Sequence, residues 1–221
     1  MKVVLTGASG MVGQGVLLEC LDHPKIESVI TVNRRPLHVD HPKYQELIVS
    51  DFLNLSSIES KLTGISACYF CAGVSSIGMD EAAYTQITYN LTMHFARTIL
   101  ERNPKSVFIY VSGQGTDSTE KASMFWRRVK GKTENDIIKL GFAKGYAFRP
   151  GYIQPYRGIK SKTGWVNGVY TLFKPIYAIL KNVPSAATNT INIGKAMINA
   201  TIHQPDLTVF ENKDINELAN R

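Results

Sequence analysis

The sequence predicts an α/β fold: a doubly wound parallel sheet of about seven strands, helices on both faces and a small helical C-terminal lid. Three observations predict it. Short runs rich in β-branched residues alternate with segments of helical period along the chain. Most of the strand runs are largely apolar, which is how strands buried on both faces read. A glycine-rich turn, "TGASGMVGQG", joins the first strand to the first helix.

In order, Lys2 to Thr6 is a first strand, and Val12, Val16, Leu17 and Cys20 or Leu21 keep helical spacing after the turn. Ser28 to Val32 and Gln45 to Val49 give strands two and three, and "SACYFCAG", Ser66 to Gly73, gives strand four. A helix from about Asp80 to Arg102 follows, with Ala83, Ile87, Leu91, Phe95 and Ile99 expected on one face. Ser106 to Ser112 is strand five, Glu120 to Leu140 a helix, Gly145 to Gly151 strand six and Leu207 to Glu211 a seventh before a short terminal helix. Alternation lapses only in Tyr152 to His203, where Trp165, Val169, Leu172, Phe173, Ile176 and Leu180 mark an amphipathic helix kinked at Pro175. With 221 residues, one domain spanning 1–221 is expected, with 152–203 as a lid-like substrate subregion.

The bulk composition, 44% hydrophobic and 19% charged, is that of an ordinary folded domain. "MKVVLTGASG" lacks the basic flank and long apolar core of a signal peptide, and Lys174 and Pro175 interrupt the most apolar stretch, so a cytoplasmic location is expected. The net charge of +7 calls for an anionic partner. Its basic residues fall in small groups, Arg34 and Arg35, Arg127 to Lys132, Lys160 and Lys162, which suits a few phosphate contacts better than a nucleic-acid track. Neither nucleic acid nor a membrane surface is expected as a partner.

Three cysteines make no disulfide framework. Cys68 and Cys71 form a C-x-x-C, but inside a buried strand rather than at the helix N-terminus that lowers a redox thiol's pKa. His38, Asp40 and His41 lie in a polar loop without a second ligand cluster, so no metal is expected.

Gly7, Gly10 and Gly13 stand three apart between strand and helix, where backbone must turn tightly and approach a pyrophosphate. Ser9, Met11 and Val12 belong to the same turn and helix start. At the end of strand two, where a dinucleotide site for NAD has an acidic residue, the sequence reads Asn33, Arg34, Arg35. A carboxylate repels the 2′-phosphate of NADP and a guanidinium grips it, so NADP is expected over NAD.

The T-G-x-x-G-x-x-G turn, "SDF" after strand three, "CAG" after strand four, "YVSG" and "FRPGYI" occur in the order found in the atypical short-chain dehydrogenase/reductase superfamily, which the chain resembles from Met1 to about Ile153. "VKGKTE" and "GIKSKTGW" are similar to its Tat-interacting-protein/oxidoreductase and epimerase-like branch. The resemblance implies a Rossmann fold in which Asp51 bonds the adenine amino group and Phe52 lies along the ring. Cys71, Ala72 and Gly73 pass the adenosine ribose, Lys130 holds the nicotinamide ribose, and Pro150, Gly151 and Ile153 wall the nicotinamide. Asn90 matches a position that helps order the active site, and pairing through the two long helices implies a homodimer.

Members that transfer hydride use a serine, a tyrosine and a lysine: the serine bonds the substrate oxygen, the tyrosine exchanges the proton and the lysine lowers its pKa. Ser112 and Lys130 are in place, but Trp126 stands four residues before Lys130, and its indole N–H has no accessible conjugate base. Tyr152 or Tyr156, from the lid, are the candidate substitutes. Two functions fit the sequence. One is an NADPH-dependent reductase or epimerase-like enzyme acting on a small carbonyl or hydroxyl compound. The other is a non-catalytic NADPH-binding sensor or interaction module.

Overall fold

The structure, a computed structural model, describes residues 1–156 and 185–221. The amphipathic segment Trp165 to Leu180 lies outside the described residues. Among the described residues, seven strands form one parallel sheet in the order β3-β2-β1-β4-β5-β6-β9. They are β1 (Lys2–Thr6), β2 (Ser28–Asn33), β3 (Tyr44–Ile48), β4 (Ala67–Phe70), β5 (Val107–Val111), β6 (Lys144–Arg149) and β9 (Val209–Glu211). A separate parallel pair joins β7 (Tyr152–Gln154) to β8 (Ala187–Asn189).

Alternate side chains of each central strand enter opposite cores, because successive Cβ atoms point to opposite faces of a sheet. Val3, Leu5, Tyr69 and Ile109 pack with α1 (Met11–Asp22), α5 (Thr190–His203) and α6 (Asn212–Ala219). Val4, Phe70, Phe108 and Tyr110 pack on the other face with α3 (Leu91–Arg102) and with Ile137 of α4 (Phe125–Lys139). Each such fully buried large side chain contributes about 1.5–3 kcal/mol through its burial. The two cysteines of the C-x-x-C divide the same way: Cys68 enters the α3 side and Cys71 packs against the α1 side. Both are free thiols, and burial pushes both pKa values up, away from redox reactivity.

Three elements differ from their sequence expectation, each for a physical reason. The helix from Asp80 to Arg102 is interrupted: α2 (Glu81–Thr85) passes into a π-helical turn, Gln86–Asn90, before α3. The wider turn inserts one residue and rotates the buried face, so Tyr84 and Thr88 are buried where Ala83 and Ile87 were expected, and Ile87 is 40% exposed. Helix α4 begins at Phe125, not Glu120, because Asp117 holds the preceding residues in a turn. Its carboxylate accepts from the Thr119 hydroxyl and from the amides of Thr119, Lys121 and Ala122, which draws its pKa down to about 2. Finally, Thr190–His203, expected inside the lid-like subregion, is a core helix packed on α1, with Ile193, Ala196 and Met197 fully buried.

Helix α4 lies hard against the turn that precedes it. A Cβ added at Gly131 falls 1.8 Å from the carbonyl oxygen of Asp117, a backbone atom that cannot yield cheaply. Gly131→Ala is therefore expected to destabilise the protein by at least about 2 kcal/mol, through overpacking. Urea unfolding will show it against Lys139→Ala at an exposed position, where a change within about 0.5 kcal/mol is expected.

Candidate functional site

The site lies at the carboxyl ends of β1, β2, β4, β5 and β6, where the strand order reverses around β1 and β4. Thr6 pairs with Val32 on one side and Phe70 on the other, so Gly7 leaves β1 between Asn33 and Cys71. Gly7 has φ +71, and an added Cβ would lie 2.5 Å from both the Ala72 nitrogen and the Cys71 carbonyl carbon. Only glycine fits there. The Gly10 amide donates to the Gly7 carbonyl at 2.8 Å and closes the turn. Gly10 then caps α1 without a side-chain hydrogen bond, which leaves Ser9, Met11 and Val12, all half-buried, around a bare helix N-terminus. This arrangement fits a pyrophosphate: glycine backbone, amide donors and a positive dipole end.

Asn33, the last residue of β2, is buried, and its Nδ2 donates to Thr31 Oγ1 at 3.0 Å and to Glu46 Oε1 at 2.8 Å. That Glu46 oxygen also accepts from the Tyr44 hydroxyl and the Leu37 amide. Burial pushes the Tyr44 pKa up to about 12, with Glu46 adding to it. Arg34 and Arg35 follow, both exposed and without an acidic partner among the described residues. Asp51 is exposed and accepts from the Leu53 amide at 2.8 Å. Phe52 points into the core, its ring 6.0 Å from that of Phe95. Ala72 donates its amide to Thr6 Oγ1 at 3.3 Å, and Gly73 is exposed.

On the far side, Lys130 of α4 donates from Nζ to the Ser112 carbonyl oxygen at 2.5 Å, and Trp126, one helical turn earlier, has its ring centroid 6.0 Å from the same nitrogen. The spacing seen in the sequence thus places Trp126 and Lys130 together. Ser112 faces inward: its hydroxyl donates to Glu134 Oε1 and lies 3.1 Å from the Phe148 carbonyl oxygen. Beside Lys130, the position an added Cβ of Gly113 would take is 3.7 Å from Nζ.

Gln114 donates its amide to the Pro150 carbonyl at 2.9 Å, and Gly151 donates its amide to Asn212 Oδ1 at 2.7 Å. An added Cβ at Gly151 would meet Ala186 O at 2.6 Å and Gln114 Oε1 at 2.7 Å, so the β5 loop, the end of β6 and the approach to β8 converge here. Ile153 packs on the α1-side core. Asn90 lies at the end of the π turn, exposed, with Nδ2 on Gln86 Oε1. Tyr152 directs its hydroxyl to Gln154 Oε1 at 3.1 Å, and Tyr156 is 42% exposed.

Sequence reasoning missed Glu134 and Arg149. Glu134 is fully buried, and Arg149 Nε lies 3.0 and 3.1 Å from its two oxygens while Nη2 also bonds it. Arg149 reaches Glu211 at 3.0 Å and Ser118 as well. Burial works against the guanidinium charge, but the hydrogen bonds and charges of Glu134 and Glu211 outweigh it and raise the Arg149 pKa. The signal was present: an arginine at the end of a buried strand needs a carboxylate partner, and Glu134 lies one turn beyond Lys130. Burial lowers the Lys130 pKa, and the charge of Glu134 only partly opposes that. Among the described residues no cluster of metal-binding side chains occurs, and no helix is long and apolar enough to cross a membrane. A cavity of about 510 Å³ opens at the opposite edge of the sheet, beside Met1, Ser66, Arg102 and Ser106, and none of the site residues lines it.

Residues 3–122 match the family model described as NAD dependent epimerase/dehydratase family. Among curated proteins, the mitochondrial protein fmp52-1 of Aspergillus terreus is 30% identical over 165 residues, 71% of this chain and 68% of that protein. Among solved structures, a short-chain dehydrogenase from Burkholderia cenocepacia in complex with NADP superposes with a TM-score of 0.65 at 13% identity, covering 99% of this chain and 91% of that one. MoeE5 in complex with UDP-glucuronic acid and NAD gives a TM-score of 0.69 at 16% identity, covering 95% and 75%. The expected cytoplasmic location is corrected by these comparisons, because the fungal relatives are named mitochondrial proteins. With a family model matched over more than half its length, on a Rossmann fold shared with short-chain dehydrogenases, this chain belongs to the NAD dependent epimerase/dehydratase family.

Proposed function

We propose that the chain binds NADP(H) and serves an oxidoreductase or epimerase-like reaction on a small carbonyl or hydroxyl compound, without a tyrosine as proton donor. The observation that supports NADP is the pair Arg34 and Arg35, exposed and without an acidic partner beside the glycine turn. Gly7, Ser9, Gly10, Met11 and Val12 would hold the pyrophosphate, and Asn33, Arg34 and Arg35 the phosphorylated ribose. Asp51, Phe52, Cys71, Ala72 and Gly73 would border the adenosine, and Lys130, Pro150, Gly151 and Ile153 the nicotinamide end. Of these, Phe52 offers the site an edge only, since its ring is packed in the core. When bound, the nicotinamide supplies hydride exchange with a carbon of the second compound. A neighbour solved with NADP is in keeping with this reading.

Two observations favour the non-catalytic module as a second reading. Trp126 has no titratable group to exchange. The Ser112 hydroxyl donates inward, to Glu134, so it is not turned toward a substrate oxygen.

The first test is a fluorescence titration of NADPH and NADH. Arg34→Ala/Arg35→Ala is expected to weaken NADPH by at least about tenfold, the loss of one or more charge-assisted hydrogen bonds, while leaving NADH within about twofold. Equal weakening of both dinucleotides would remove the argument for NADP. The second test is Trp126→Tyr assayed by NADPH oxidation against a panel of aldehydes and ketones. A gain of about 10² over the unmodified protein is expected if the missing acid limits turnover. Tight NADPH binding with no turnover in either protein would decide for the module.

A further inference from the structure

The segment from Gly151 to Gln154 belongs to a part of the fold that the main sheet does not hold. Strand β6 ends at Arg149, and the chain passes through Gly151 into β7, whose strand partner among the described residues is β8. A parallel pair of three residues each, Tyr152 to Gln154 on Ala187 to Asn189, is too short to fix its own place. The Gln114 amide holds Pro150 at one end, and the Tyr156 amide reaches Thr190 Oγ1 at the other. Between these, the polar ties run to the terminal helix α6, where Asn212 and Asn216 stand one turn apart. Asn212, 1% exposed, accepts the Gly151 amide at 2.7 Å. Asn216 Oδ1 accepts from the Thr188 hydroxyl at 2.7 Å, and its Nδ2 donates to the Ala187 carbonyl at 2.9 Å. The same Oδ1 accepts from Asn192 Nδ2 at 3.0 Å, which anchors it to α5. Thr188 is the register partner of Ile153, and the Tyr152 amide donates to Ala186 O at 3.0 Å, so what α6 fixes in β8 is passed on to β7.

We propose that Asn212 and Asn216 are positioning residues for the nicotinamide ring. Through them α6 sets how far Gly151 and Ile153 stand from the carboxyl ends of β5 and β6. The inference rests on the reading of Pro150, Gly151 and Ile153 as the nicotinamide wall. Helix α6 is already capped by Glu211 with Asp214, so the buried Asn212 amide is not needed for that end, and its oxygen goes to the wall instead. A buried amide is costly unless it is bonded, and an apolar side chain would fill the same space without that cost. Asparagine is suited to Asn216's place as well, because one planar group carries an acceptor and two donors and can bridge a strand's side chain and main chain.

The test compares, by calorimetric titration, NADPH with 2′-phospho-ADP-ribose, which has every part of the cofactor except the nicotinamide ring. Asn212→Leu and Asn216→Leu are each expected to weaken NADPH at least about fivefold, the loss of a hydrogen bond's worth of placement, and the fragment less than about twofold. Asn212→Asp keeps the Oδ1 acceptor and should hold NADPH within about twofold of the unaltered protein. Asn199→Leu serves as the structural control: it removes a hydrogen bond to Leu218 O at 2.9 Å on the same helix, and should lower the melting temperature with the ratio of the two affinities unchanged. Where a leucine variant does not fold, amide exchange in the unaltered protein decides. NADPH, and not the fragment, is expected to slow exchange at Gly151 and along 187–189, and exchange indifferent to the ring overturns the proposal. Variants that weaken both ligands alike, or an unaltered protein that gains no affinity from the ring, also overturn it and leave the phosphate end of the site standing. An unaltered protein that binds neither ligand overturns the cofactor reading itself, and this proposal with it.

Discussion

The ion pair of Glu134 with Arg149 is the interaction on which the site depends. A fully buried carboxylate is tolerated only when its charge and hydrogen-bonding capacity are met, and here the guanidinium and the Ser112 hydroxyl meet them. The pair ties together segments that share no sequence neighbourhood: α4 through Glu134, the end of β5 through Ser112, β6 through Arg149 and β9 through Glu211. Removing either partner leaves an uncompensated charge, typically a loss of about 3–5 kcal/mol. Lys130 inherits its position from this arrangement, since it lies on the same face of α4, one turn before the anchored residue.

The other half of the site depends on backbone contact, not charge. Gly7 passes so near Cys71 and Ala72 that any side chain would collide with main-chain atoms. That contact sets the distance between the first helix and the end of β4, the crevice where this class of sheet takes ligands. The parallel register extends the placement sideways, bringing Asn33 level with the turn and the two arginines just beyond it. The phosphate half of the site thus needs no side-chain chemistry until Arg34. The opposite half adds side chains held by one another, Glu134 with Arg149 and Ser112, to backbone contacts such as that of Gln114 with Pro150.

This difference explains what was legible in the sequence. The central strands and the glycine turn could be read because local composition alone dictates them: buried β-branched runs and glycines at forced backbone positions. The placement of Trp126 beside Lys130 could be read because a spacing of four on a helix is a geometric statement. The rotated face at Ile87 could not, since nothing local marks a π turn. The core position of Thr190–His203 was hidden because its burial depends on packing against α1, far away in sequence. Phe52 and Ser112 mislead in the same way. Each sits where a site residue is expected, but a partner distant in sequence, Phe95 or Glu134, turns its side chain inward.

The tryptophan then becomes intelligible as part of a changed electrostatic balance rather than as a single lost hydroxyl. Where a tyrosine stands before the lysine, the pair can share a charge, since lowering the phenol's pKa stabilises the phenolate beside the ammonium. Trp126 cannot take up that charge, and Glu134 is already committed to Arg149. Burial therefore acts on the Lys130 ammonium with only the partial opposition of Glu134, while the Ser112 carbonyl accepts from it and the Trp126 ring stands 6.0 Å away. The same contacts hold the ammonium in place, so this half of the site keeps the lysine's charge although it lacks the phenol and has turned the serine hydroxyl inward.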